Sequence, residues 1–176
     1  MSLFALATWI TAAAGGLYLL SIWLIEYDKD FQSVAATRLP PVVLAGHVLF
    51  AGGGLAIWLG YIIFDSDRLA WAAVVAVVLA ATLGIIMAVR WIGVYRAGRT
   101  ALHAAREARQ PSHLILVSGG DHARIAVLER SGEVGQASEL GPPERNFPLP
   151  VVIAHGAFAA ATLTLVLLTA LGVGGS

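Results

Sequence analysis

Apolar residues dominate four stretches of this chain, Leu3 to Ile25, Val42 to Phe64, Leu69 to Val89 and Val151 to Leu171, and the polar residues gather between them. A helix needs about 20 apolar residues to cross a hydrocarbon core, so the pattern predicts four transmembrane helices. No basic residue precedes the first stretch, which is long for the apolar region of a signal peptide, and Glu26, Asp28 and Asp30 follow it directly. It therefore reads as a retained anchor. Pro40, Pro41, Pro148 and Pro150 mark the starts of the second and fourth helices, because proline fits a first helical turn, where its missing N–H has no partner to lose.

The polar positions orient the helices. Lys29 and Arg38 lie between the first and second stretches, and Arg90, Arg96, Arg99, Arg106, Arg109, Arg124, Arg130 and Arg145 cluster at the end of the third and in the segment after it, while Arg68 stands on the other side. Basic residues favour cytoplasmic loops, which predicts both termini outside the cytoplasm, in an inner or plasma membrane. Short connections favour antiparallel neighbours. The expected fold is all-α: one membrane domain over residues 1–176, a four-helix bundle running up-down-up-down, with a long cytoplasmic loop (94–149) between the third and fourth helices. Trp23, Trp58, Trp71, Trp91, Tyr27, Tyr61 and Tyr95 lie near helix ends and read as an interfacial belt.

Within the loop Arg96, Arg99, His103 and Arg106 recur at spacings of three and four, opposite Ala97, Ala101, Leu102, Ala104, Ala105 and Ala108. This predicts a helix with a basic stripe, continuing into water or lying on anionic headgroups. Residues 113–129 suit a small hairpin around Gly119, Gly120 and Asp121, and Ser131 to Asn146 read as a linker. His103, His113 and His122 read as solvated loop histidines.

Composition agrees with the helices and narrows the chemistry. The chain is 58% hydrophobic and 12% charged, with a mean hydropathy of +0.78, beyond the range of a soluble globular domain. It has no cysteine, which excludes disulfides, thiolate metal sites and covalent c-type haem attachment. No phosphate-binding glycine loop, catalytic triad or HExxH motif is present, and the basic stripe lacks the aromatic interleaving of a nucleic-acid surface.

One repeated phrase carries the candidate chemistry. PVVLAGHVLFA (41–51) and PVVIAHGAFA (150–159) align on His47 and His155, each followed by Phe at i+3 (Phe50, Phe158) and Ala at i+4 (Ala51, Ala159). At 1.5 Å per residue, His47 lies about 9 Å and His155 about 7 Å past its proline, at similar depth on parallel helices. Ionisable residues at such depth face a bundle interior and are functional candidates with a partner to be named. Here each histidine is the other's partner. Two imidazoles are too few for zinc, which takes three or four ligands; haem iron supplies four nitrogens and takes two axial ligands. Gly46, Ala51, Gly54, Gly156, Ala159, Gly15 and Gly16 leave room for a macrocycle, and Arg38 and Arg145, beside Asn146, stand at the two helix starts where propionates would lie. A packing role for the same small residues and a plain hydrogen-bonding role for the histidines give the competing reading, a non-catalytic small subunit or scaffold of a larger membrane complex.

The helix count and the segments around His47 and His155 resemble the four-helix integral-membrane b-type cytochromes of the cytochrome b561 kind, in which histidines on alternate helices hold haem. The resemblance implies haem b bound by His47 and His155 and a role in electron exchange with a quinone or a redox protein, or in handling haem itself; an electron-transfer cytochrome of this kind need have no substrate turnover of its own. Members of that family carry two haems on four histidines, one near each membrane face. This chain offers two such histidines, which implies one haem near the cytoplasmic face and an incomplete path across the bilayer. The small-residue faces also suit a homodimer.

Overall fold

The computed structural model describes residues 1–26, 39–109 and 143–173. It contains α1 (Ser2–Glu26), α2 (Pro41–Phe64), α3 (Asp67–Arg109), a 3₁₀ turn (Pro143–Asn146) and α4 (Leu149–Ala170). The protein is all-helical, and all four α-helices are long and apolar enough to cross a membrane. The expected hairpin at 113–129 lies outside the described residues.

Local sequence explains the boundaries. Pro40 and Pro148, both extended, cap α2 and α4, and their carbonyls accept the N–H groups of Val43 and Leu44, and of Val151 and Val152. α2 ends at Asp65, whose left-handed φ of 47° turns the chain while its N–H donates to the Tyr61 carbonyl; aspartate tolerates this conformation better than most residues. Ser66 then accepts the N–H groups of Leu69 and Ala70 to start α3. At 43 residues, α3 is about 65 Å long, twice a hydrocarbon core of about 30 Å. Its C-terminal part therefore continues the helix beyond the membrane, with Arg96, Arg99, His103 and Arg106 all exposed or half-exposed.

The helices associate as two tight pairs. α2 packs along α3 and α1 along α4; α3 and α4 touch less, α1 and α2 least, and the backbones of α2 and α4 do not meet, so these two helices lie diagonally. Along the first pair Gly60 faces Leu69, Gly54 faces Ala76 and Gly46 faces Leu83, positions that descend one helix as they climb the other. Along the second pair Thr162 faces Thr8 and His155 faces Gly15 and Gly16.

Packing is uneven along the bundle axis. One half holds a core of Ala5, Trp9, Trp58, Ala70, Ala73, Val74, Val77 and Val166. Gly54 lets Trp9 and Ala76 close together there: a methyl group on it would stand 2.9 Å from the Ala76 Cβ and 3.0 Å from the Trp9 ring. Gly54→Ala is accordingly expected to destabilise the bundle by about 2 kcal/mol, the scale of overpacking in a filled core, read as a lower thermal midpoint in detergent. Nearby, the Thr8 hydroxyl donates along its own helix to Phe4 and Ala5 and accepts from Thr162 at 3.0 Å. Interhelical hydrogen bonds in membranes average about 0.6 kcal/mol, so Thr162→Val is expected to lower stability by roughly that amount, within about 2 °C of the parent in the same assay.

The interfacial aromatic belt expected from the sequence needs correction. Trp23, Trp58 and Trp91 are buried between helices, with the Trp58 indole N–H donating to the Ser2 carbonyl and the Trp91 N–H to the Glu144 carbonyl at 3.0 Å. Trp71 remains exposed. A tryptophan near a helix end satisfies the same pattern whether it faces headgroups or seals a bundle end.

Candidate functional site

Between the packed core and the opposite end of the bundle lies a band without buried residues. None occurs in 13–22 of α1, 41–53 of α2, 81–90 of α3 or 149–161 of α4. Beyond the band, Trp23, Leu39, Trp91, Val94 and Glu144 are buried again, where the 3₁₀ turn packs against α1 and α3. Residues there are half-buried or exposed, with Gly46 against Leu83 and Gly16 and Gly84 against the histidine rings, so each helix pair stays in contact while no residue is sealed from all sides. Ten to thirteen residues of helix cover about 15–20 Å along the axis.

His47 and His155 stand in this band, one from each helix pair. Their ring centres are 6.1 Å apart and the ring planes meet at 72°. They lie at equal depth: Pro40 precedes His47 by seven residues and Pro148 precedes His155 by seven, so the one-residue mismatch between the two phrases disappears once depth is counted from the capping prolines.

Each ring is held the same way. His47 Nδ1 lies 2.8 Å from the carbonyl oxygen of Ala80 on α3, and His155 Nδ1 lies 2.8 Å from that of Ala12 on α1. A carbonyl oxygen only accepts, so Nδ1 carries the hydrogen in both rings and each Nε2 keeps its lone pair. No hydrogen bond to either Nε2 occurs among the described residues, and no buried side-chain nitrogen or oxygen there lacks a partner. Both Nε2 atoms therefore border open space. A ring fixed through Nδ1–H to a backbone carbonyl, with a free Nε2, is the arrangement by which proteins orient metal-ligating histidine.

The other expected site residues fall out differently. Gly54 lies in the packed core, its space taken by Trp9 and Ala76, while Gly156 opens onto space, with nothing within 4 Å of where a methyl group would stand. Phe50 is half-buried and Phe158 is 39% exposed, so neither matched phenyl ring is sealed in a core; Ala51 and Ala159, one position further on, are both half-buried. Arg145 belongs to the 3₁₀ turn; its side chain and the whole of Arg38 lie outside the described residues, as do His113 and His122. Among the described residues no group of three or more His, Cys, Asp or Glu side chains could hold a metal, so the histidine pair stands as two ligands and no more.

Sequence reasoning did not find the acceptors. Ala12 and Ala80 contribute only backbone, and the shared pattern Ala-x-x-x-Gly (Ala12 with Gly16, Ala80 with Gly84) does not stand out in a chain with 19 glycines. No family model, no curated protein and no solved structure matches this chain.

Proposed function

We propose that this chain is an integral-membrane b-type cytochrome, an up-down-up-down four-helix bundle in which His47 and His155 are the axial ligands of one haem. The carrying observation is the pair of imidazoles on diagonal helices, each tied through Nδ1 to a neighbouring helix carbonyl at 2.8 Å. The two ring centres stand 6.1 Å apart, and each ring's nitrogen not held by a carbonyl is the atom that would ligate the iron. Two neutral imidazoles are the donor set that haem iron takes, and the seam between the two helix pairs, where no residue is fully buried, is where a flat macrocycle would lie.

Haem in such a site supplies reversible one-electron chemistry between ferric and ferrous iron. The chain's residues do the rest. The Ala12 and Ala80 carbonyls hold both rings in one tautomer, the core of Trp9 and Trp58 closes one end of the band, and Trp91 with the 3₁₀ turn closes the other. Arg38 and Arg145 belong near the helix starts, where propionates would meet them. The Arg-rich end of α3 points to the cytoplasm by the positive-inside rule, which leaves both termini outside and the haem nearer the cytoplasmic face, with a quinone or redox protein as its electron partner. The test is a reduced-minus-oxidised absorbance spectrum of the detergent-purified protein. The expected result is the α band of low-spin b haem; a colourless protein that also ignores added hemin would leave the scaffold reading in its place.

A further inference from the structure

Each histidine ring rests on a glycine, and the two glycines occupy equivalent places. The carbonyl that receives His155 is Ala12, and the residue four further along α1 is Gly16; the carbonyl that receives His47 is Ala80, and four further along α3 is Gly84. In a helix the N–H of residue i+4 already donates to the carbonyl of residue i. The glycine N–H and the imidazole N–H therefore converge on one oxygen, and the ring lies against the glycine Cα. A methyl group on Gly16 would stand 3.0 Å from His155 Cε1 and 3.5 Å from Nδ1; one on Gly84 would stand 3.2 Å from His47 Cε1 and 3.5 Å from Nδ1. At both positions an added methyl group makes the imidazole ring give by a few tenths of an ångström, which disturbs the hydrogen bond that sets its angle.

We infer that Gly16 and Gly84 are positioning residues, a matched pair of sockets that set the angle between the two axial imidazole planes. The inference rests on the haem reading above for its spectroscopic form, and on the hydrogen-bond geometry for its structural form. The sockets relate α1 to α3 and α2 to α4 by an approximate two-fold axis along the bundle, so each half of the chain orients the other half's ligand. Neither glycine touches the iron; each acts through its histidine.

The test uses the full-length protein with two readouts. In the low-spin ferric state, the anisotropy of the electron paramagnetic resonance signal depends on the angle between axial imidazole planes. At 72° the planes are closer to perpendicular than to parallel, which predicts a strongly anisotropic signal with a large maximal g value. Gly16→Ala and Gly84→Ala should each retain haem and move that value beyond the linewidth. Gly52→Ala and Gly93→Ala, where an added methyl group meets nothing within 4 Å, should leave it unchanged. Gly54→Ala should lower the thermal midpoint and also leave the signal in place, which separates a lost packing contact from a turned ring. If Gly16→Ala does not accumulate, Gly84→Ala carries the test, since its methyl group approaches the ring less closely, 3.2 Å against 3.0 Å. The second readout needs no haem: in apoprotein with ¹⁵N-labelled histidine, the ring-nitrogen resonances of His155 should shift in Gly16→Ala and those of His47 in Gly84→Ala. Haem-loaded Gly16→Ala and Gly84→Ala with the parent signal, or controls that move it equally, overturn the inference. Haem-free parent protein whose ring resonances still respond as expected would sink the cytochrome reading and keep the sockets; unresponsive resonances would sink the sockets.

Discussion

His155→Ala is expected to convert a six-coordinate, low-spin haem into a five-coordinate, high-spin one with much weaker binding, and His47→Ala is expected to do the same to a similar degree. The double variant should bind none. The symmetry of the effect follows from the symmetry of the site: each ring has the same tautomer, the same 2.8 Å bond to a helix carbonyl and the same depth below its capping proline. Folding should be affected far less than binding. Removing an imidazole leaves the Ala12 or Ala80 carbonyl still accepting its own helical N–H, so no backbone group is orphaned, and the band around the histidines holds no buried residue whose packing would collapse. Absorbance spectra of the three variants, beside their elution as monodisperse species, check both halves of the expectation. Added imidazole should restore the low-spin spectrum of His155→Ala, because the vacated ring position is bordered by Gly15 and Gly16.

Trp58→Ala should act in the opposite sense, harming the fold and sparing the chemistry. Trp58 is fully buried, belongs to the core that fills the half of the bundle away from the histidines, lies against Tyr61 with ring centres 4.8 Å apart, and donates to the Ser2 carbonyl. In a bilayer, burial against lipid-like surroundings supplies little driving force, and helices associate through close packing and hydrogen bonds. The loss is then the cavity and the forfeited contacts, about 3–4 kcal/mol on the scale of aromatic-to-alanine truncation. The expected outcome is a thermal midpoint lower by roughly 10 °C or more, with the haem spectrum of the surviving folded fraction unchanged. A changed spectrum at unchanged stability would mean that the core and the histidine band are not separate levels of the bundle.

Much of this fold was legible because apolar length alone determines membrane spans: the four helices begin and end within two residues of the apolar runs, apart from the far end of α3. That end runs on to Arg109 because the basic stripe keeps helical spacing after hydropathy drops. The histidine pair was legible because an ionisable residue is costly among Val, Ala and Gly inside a membrane span, and because the proline-led phrase repeats. What surrounds the pair was not. Gly54 and Gly156 look alike in sequence, yet one admits Trp9 into the core and the other faces open space, a difference set by the partner helix. Trp23, Trp58 and Trp91 sit at helix ends as an interfacial belt would, and only helix rotation turns them inward. The Ala12 and Ala80 acceptors are backbone atoms, which no side-chain pattern announces.

Haem binding itself is best measured by a hemin titration of the purified protein, followed by absorbance to saturation. One haem per chain is expected, with the low-spin spectrum of two nitrogen ligands, and no saturable binding to the protein lacking both His47 and His155. Saturation at one haem per chain in that double variant, or none in the parent, would mean that the two histidines are not haem ligands.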